Sequence, residues 1–117
     1  MSDKMIESNP KELVRLFEII NQFGSTCSLE FQIEGQADPL MGMVDEKIIP
    51  EFYEGDGTGA AIALELGATT FSFEIEKHKF SKYISEMQFT ICIVGSGYAV
   101  WFNSGVIPPE GISIAKQ

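Results

Sequence analysis

One histidine, His78, and two cysteines, Cys27 and Cys92, are the groups from which nucleophilic chemistry would have to be assembled. A hydroxyl or thiol attacks only when a positioned base takes its proton, so every Ser–His or Cys–His scheme here runs through His78. That residue stands between Lys77 and Lys79 with no partner announced by spacing, and it reads as a solvated residue of a connection. Cys27 and Cys92 each fall within apolar alternation, where a free thiol serves as a small hydrophobe. Two distant cysteines do not make the disulfide framework of a short secreted domain. No serine occupies a nucleophile-elbow sequence. The carboxylate pairs Glu30 and Glu34, and Glu74 and Glu76, alternate with apolar residues. That spacing puts both members on the wet face of a strand, where they read as solvated charges rather than the acid and base of a glycosidase.

Metal and phosphate chemistry find as little support. One histidine and two separated cysteines do not supply a tetrahedral zinc set. Asp56 lies in Gly55-Asp56-Gly57-Thr58-Gly59, but the other oxygen ligands and the closing glutamate of a calcium loop are missing. As a phosphate cradle the same run lacks a Lys-Ser/Thr ending, and Asp56 would repel the anion. It reads as a strand connection. No catalytic residue, metal or cofactor is expected. Lys77, Lys79 and Lys82, interleaved with Phe80 and Tyr83, form the one basic patch of the sequence. They suit a local anion contact, not general nucleic-acid binding.

Charge is more informative. Seventeen acids against eight bases leave a formal net charge of −9. Between Ser28 and Leu66 nine acids accompany a single base, Lys47. Such a field repels phosphates and anionic membranes, draws a cationic partner, and also serves solubility. No apolar run approaches the roughly 20 residues of a membrane-spanning helix. Met1-Ser2-Asp3-Lys4 opens no signal-peptide pattern, so the expected location is cytoplasmic.

The elements that must position these groups follow from periodicity. Asn9 as cap, Pro10 at the first helical position and Glu12 as in a capping box start a helix over about 10–23. Leu13, Leu16, Phe17 and Ile20 supply its apolar stripe, and Gly24 its stop. Met1 to Ser8 reads as a frayed extension. From Cys27 the period becomes two: Cys27, Leu29, Phe31 and Ile33 alternate with polar neighbours. Leu40–Val44 and Ile48–Tyr53 read as further strands, the second at a sheet edge because Pro50 donates no ladder hydrogen bond. A two-residue Gly67-Ala68 loop of type II′ sets Leu64 opposite Phe71 and Ile62 opposite Phe73. A last hairpin turns at Gly95-Ser96-Gly97, with either two-residue loop preserving its faces. Both of those faces are apolar, so both need cover. Lys77–Tyr83 reads as a connection with at most a helical turn. Pro108-Pro109 predicts an extended tail.

These readings give one α+β domain over 1–117. An N-terminal helix packs on a curved antiparallel sheet or partly open barrel of six to seven strands, spread over about 26–104, with the tail at 105–117. The leading functional expectation is a non-enzymatic protein-binding domain of inhibitor, immunity or adaptor type that engages a basic partner surface. Glu30, Glu34, Glu51, Glu54 and Asp56 would supply charge, with Phe52 and Tyr53 as aromatic anchors. One alternative is a barrel that binds a nucleotide or other small ligand through Lys77, His78, Lys79 and Lys82. Another is a structural subunit that forms a homodimer through Cys92, Val94 and Trp101.

Overall fold

Asn9 keeps extended backbone angles (φ −85, ψ 157), and its side chain accepts the Glu12 N–H at 2.8 Å. Pro10 then takes the first helical position, where no intrahelical donor is needed. The computed structural model describes residues 5–23, 26–44, 46–54, 59–85, 88–105 and 107–115. It places this helix, α1, at Pro10–Gln22, with Leu13, Leu16, Phe17, Ile19 and Ile20 buried. The Glu12 carboxylate turns to donors other than those of a capping box. Ser8 Oγ donates to it at 2.5 Å and Lys82 Nζ stands 2.6 Å away. Gly24, the expected stop, lies outside the described residues.

The strands are β1 (Ile6–Glu7), β2 (Cys27–Ile33), β3 (Leu40–Val44), β4 (Ile48–Tyr53), β5 (Ala61–Leu66), β6 (Thr69–Glu74), β7 (Lys79–Ile84), β8 (Phe89–Gly95) and β9 (Tyr98–Ser104). They form a six-stranded sheet in the order β1-β7-β8-β9-β2-β3 and a three-stranded sheet β4-β5-β6. Every pairing is antiparallel. The expected α+β arrangement holds, with the helix packed on the larger sheet beside the smaller one and no closed barrel.

Register follows from side-chain alternation. Leu64 faces Phe71 and Ile62 faces Phe73 across the β5–β6 turn, where Gly67 has φ +61 and Ala68 an ordinary angle, as a type II′ turn requires. The β8–β9 hairpin adopts the Ser96-Gly97 loop, with Gly95 opposite Tyr98 and Ile93 opposite Val100. β4 lies at an edge, as Pro50 demands.

Three local expectations are corrected. Ile6 and Glu7 are not frayed; they pair with Lys82 and Ser81 of β7. The segment read as a connection, Lys77–Tyr83, begins at the end of a short 3-10 turn, Ile75–Lys77, and from Lys79 onward is the strand β7. Phe80, Lys82 and Ile84 of that strand face inward, and the charge in the middle of the alternation hid the period. The Glu12 carboxylate is what makes that inward lysine tolerable. The tail is not extended: α2 occupies Pro109–Ala115. Pro109 opens it, and Pro108 O accepts the Ile112 N–H at 3.1 Å, so the same prolines that oppose a helix interior begin one here. Arg15 of α1 hydrogen-bonds to Ile114 O and fastens α2 to the body.

The core lies between the sheets. Phe17 of α1 meets Phe102 of β9 edge to face at 5.1 Å, and both are buried. Leu29, Phe31, Val100 and Phe102 of the larger sheet close on Phe71 and Phe73 of the smaller one, with no water-sized space between them. Asn21 ties α1 to β4: its side chain donates to Ile48 O at 2.6 Å and accepts the Ile48 N–H at 3.1 Å. No described helix is long and apolar enough to cross a membrane.

Candidate functional site

Two connections meet at one end of the six-stranded sheet. The chain leaving β2 turns at Glu34-Gly35 and returns through Pro39 into β3, while β8 and β9 turn at Ser96-Gly97. The Glu34 N–H donates to Gly97 O at 2.8 Å, which fixes the two turns against each other. Between them lies an open cleft of about 420 Å³. Glu34 and Asp38 bring exposed carboxylates to it, and Gln32, Ile33, Val94 and Tyr98 form much of the wall. Ile33 and Val94 keep 37% and 40% of their surface exposed, so an apolar rim borders the acids.

The inner wall is held by identifiable contacts. A Cβ at Gly95 would stand 2.6 Å from the Tyr98 ring, so only glycine lets that ring lie flat across β8. Phe31 stacks on Tyr98 at 5.8 Å. The Tyr98 hydroxyl hydrogen-bonds to His78 Nε2, and His78 Nδ1 lies 2.7 Å from Glu74 O. A carbonyl only accepts, so Nδ1 carries a proton toward Glu74 O, and the Tyr98 hydroxyl is the partner of Nε2. His78 thus joins the end of β6 to β9, half-buried among Phe73, Phe80 and Tyr98. This overturns the reading of His78 as solvated. Both its nitrogens hold the structure together, and burial moves the Tyr98 hydroxyl pKa upward.

The thiols sit in equally unreactive places. Burial pushes Cys27 up to about 12, and pushes Cys92 up to about 11 despite a hydrogen bond with Ser81. Both stay protonated and poorly nucleophilic near neutral pH. Among the described residues, no group of three or more histidines, cysteines and acids is placed to hold a metal ion.

The acidic residues singled out by sequence are dispersed. Glu34 lines the cleft, while Glu30 lies on the outer face of β2 between Trp101 and Met41. Glu51 and Tyr53 share the outer face of β4, where the Tyr53 hydroxyl donates to Glu51 at 2.7 Å. Phe52 points the other way, beneath Lys11 at 5.5 Å, and Glu54 approaches the same lysine at 3.9 Å. Asp56 lies outside the described residues. The basic set does not converge either. Lys77 pairs with Glu74 at 3.2 Å, Lys82 turns inward to Glu12, and Lys79 lies on the opposite face of β7.

Cys92, Val94 and Trp101 do share a surface, the outer face of β8 and β9. Thr90 and Cys92 are buried there, and Trp101 is half-buried with no hydrogen-bond partner for its indole Nε1 among the described residues. Met41 and Met43 of β3 continue this face at 70% and 63% exposure. Sequence reasoning missed them, together with Asp38 and Tyr98. The available signal was a run, Leu40–Val44, apolar at both parities and without one charge.

No protein family, curated protein or solved structure matches this chain, so its functional reading rests on its own residues.

Proposed function

We propose that this chain is a non-enzymatic protein-binding domain of inhibitor, immunity or adaptor type, and that a basic segment of its partner enters the cleft between the β2–β3 connection and the β8–β9 turn. The observation that carries this reading is the pairing of two exposed carboxylates, Glu34 and Asp38, with an apolar rim at Ile33 and Val94 in one concave site. Carboxylates select and orient a cationic side chain, and the rim supplies the desolvated area from which binding energy comes. The acid-rich surroundings from Ser28 to Leu66 extend the attraction beyond contact range and speed encounter.

The test compares capture of the partner from the native host by the wild-type chain and by a Glu34→Gln/Asp38→Asn variant, at low and high salt. The expected result is association that slows with salt and falls about tenfold or more in the variant. Capture indifferent to both salt and these carboxylates overturns the reading.

A further inference from the structure

Among the described residues four strand edges are left where the two sheets end: β1 and β3 on the larger, β4 and β6 on the smaller. An edge presents unpaired backbone donors and acceptors, and stable proteins blunt such edges by shortness, proline, polar side chains or cover. Three of the four follow that rule. β1 has two residues. β4 carries Pro50, and the Asn21 side chain occupies the backbone groups of Ile48. β6 exposes Thr70, Ser72 and Glu74.

β3 breaks the rule. Its five residues, Leu40–Val44, carry no charge and no proline. Leu40 is 59% exposed, Met41 70% and Met43 63%, on both faces of the strand. Among the described residues no strand pairs with its outer side. We infer that β3 is a docking edge, to which an extended apolar segment of a partner protein, ending in lysine or arginine, adds as a seventh antiparallel strand.

Charge and topology select this occupant. Every neighbour in the sheet runs antiparallel, so the C-terminal end of an added segment passes Leu40 and arrives beside Asp38, where the cleft with Glu34 begins. Basic residues at that end meet two carboxylates, while the apolar residues before them lie alongside Met41 and Met43. A second copy of this chain fits worse. With the two-fold axis at Gly42, each Asp38 falls opposite a Glu46 of the other copy, between chains of net charge −9.

The inference rests on the protein-binding reading above, and the test separates the two. A labelled peptide of alternating valine and threonine ending in two lysines is titrated into the full chain, with a glutamate-ended counterpart as control. Amide hydrogen exchange is followed in both. The lysine peptide is expected to bind, to slow exchange at Leu40–Val44 about tenfold, and to outcompete the glutamate peptide by a similar factor. Adjacent N–H groups of a strand point alternately toward β2 and outward. Of Gly42→Pro and Met43→Pro, the variant that keeps the wild-type melting temperature therefore removes only an outward donor, and it should weaken the peptide about tenfold. Equal binding of both peptides, or binding without new protection in β3, overturns the inference. So does a dimer with β3 already protected in the absence of peptide, which would make the occupant a second copy. If the peptide fails at millimolar concentration while the native partner still depends on Glu34 and Asp38, the edge inference falls and the binding reading stands.

Discussion

The inner and outer faces of the six-stranded sheet come from the same strands, with alternate residues going to each, yet they have opposite fates. On the inner face Ile91 and Ile93 are fully buried and Phe102 retains 1% exposure, because α1 and the smaller sheet close over them. Among the described residues of the outer face's strands, only Thr90 and Cys92 are buried, and exposure climbs to 40% at Val94 and 70% at Met41. Away from the β3 edge, where inner-face Leu40 is itself 59% exposed, stability is thus concentrated on one side and accessible apolar surface on the other. The two should be separable by substitution, since burial supplies most of the folding free energy and surface positions little of it.

The comparison is broken most directly at its extreme. Phe102→Ala opens a cavity against Phe17 and should lower unfolding free energy by about 3–5 kcal/mol in urea titrations. A loss comparable to that of an outer-face residue would mean that the inner face is not the core. Next in size is Lys82→Met, which strands the Glu12 carboxylate in a partly buried place. A loss of about 1–3 kcal/mol is expected.

The same pair gives a pH signature. Burial alone would raise the Glu12 pKa, but the hydrogen bonds from Lys82 and Ser8 and the charges of Lys82 and Arg15 outweigh it and hold the pKa below the usual glutamate value. Its stabilising contribution is therefore complete above the unfolded carboxylate pKa and is lost as pH falls through the lower folded value. Glu12→Gln should flatten that acid limb, and an unchanged limb would remove Glu12 as its source.

Tyr98→Phe sharpens the boundary between the faces, at the wall shared by core and cleft. It deletes the hydroxyl that hydrogen-bonds to His78 Nε2 and should cost about 0.5–1.5 kcal/mol. A change in the imidazole nitrogen shifts should accompany it, and unaltered shifts would sever the His78–Tyr98 link. The smallest effect is expected at Met43→Lys, with stability within about 0.5 kcal/mol of wild type although an apolar side chain is lost. A large loss there would show that the outer edge is structural after all.

Much of the fold was legible because local chemistry and tertiary packing agree. Asn9 and Pro10 begin α1 where they stand in sequence, and the pairing of Leu64 with Phe71 follows from keeping apolar residues on one face. Legibility ended where a residue's role depends on something distant. β7 was hidden because Lys82 takes an inward position that only Glu12, far away in sequence, makes acceptable. α2 was hidden because a pair of prolines is compatible with either an extended chain or a helix start, and docking against α1 decides between them. His78 looked solvated between two lysines, while its actual partners are a backbone carbonyl at the end of β6 and a hydroxyl on β9. Of the candidate site, Glu34 was legible as an acid, but its convergence with Asp38, Ile33 and Val94 was not.

By itself the sequence determined the α+β class, the capped helix, the hairpin faces and the acidic field, because these depend on neighbours within a few residues or on charge counts. Tertiary structure alone decided that the strands divide into two sheets and that Lys82 and Glu12 meet. It also decided that two turns enclose a cleft and that β3 remains an open edge. Those outcomes depend on which strands become neighbours, and a strand's own alternation specifies its faces but not its partner.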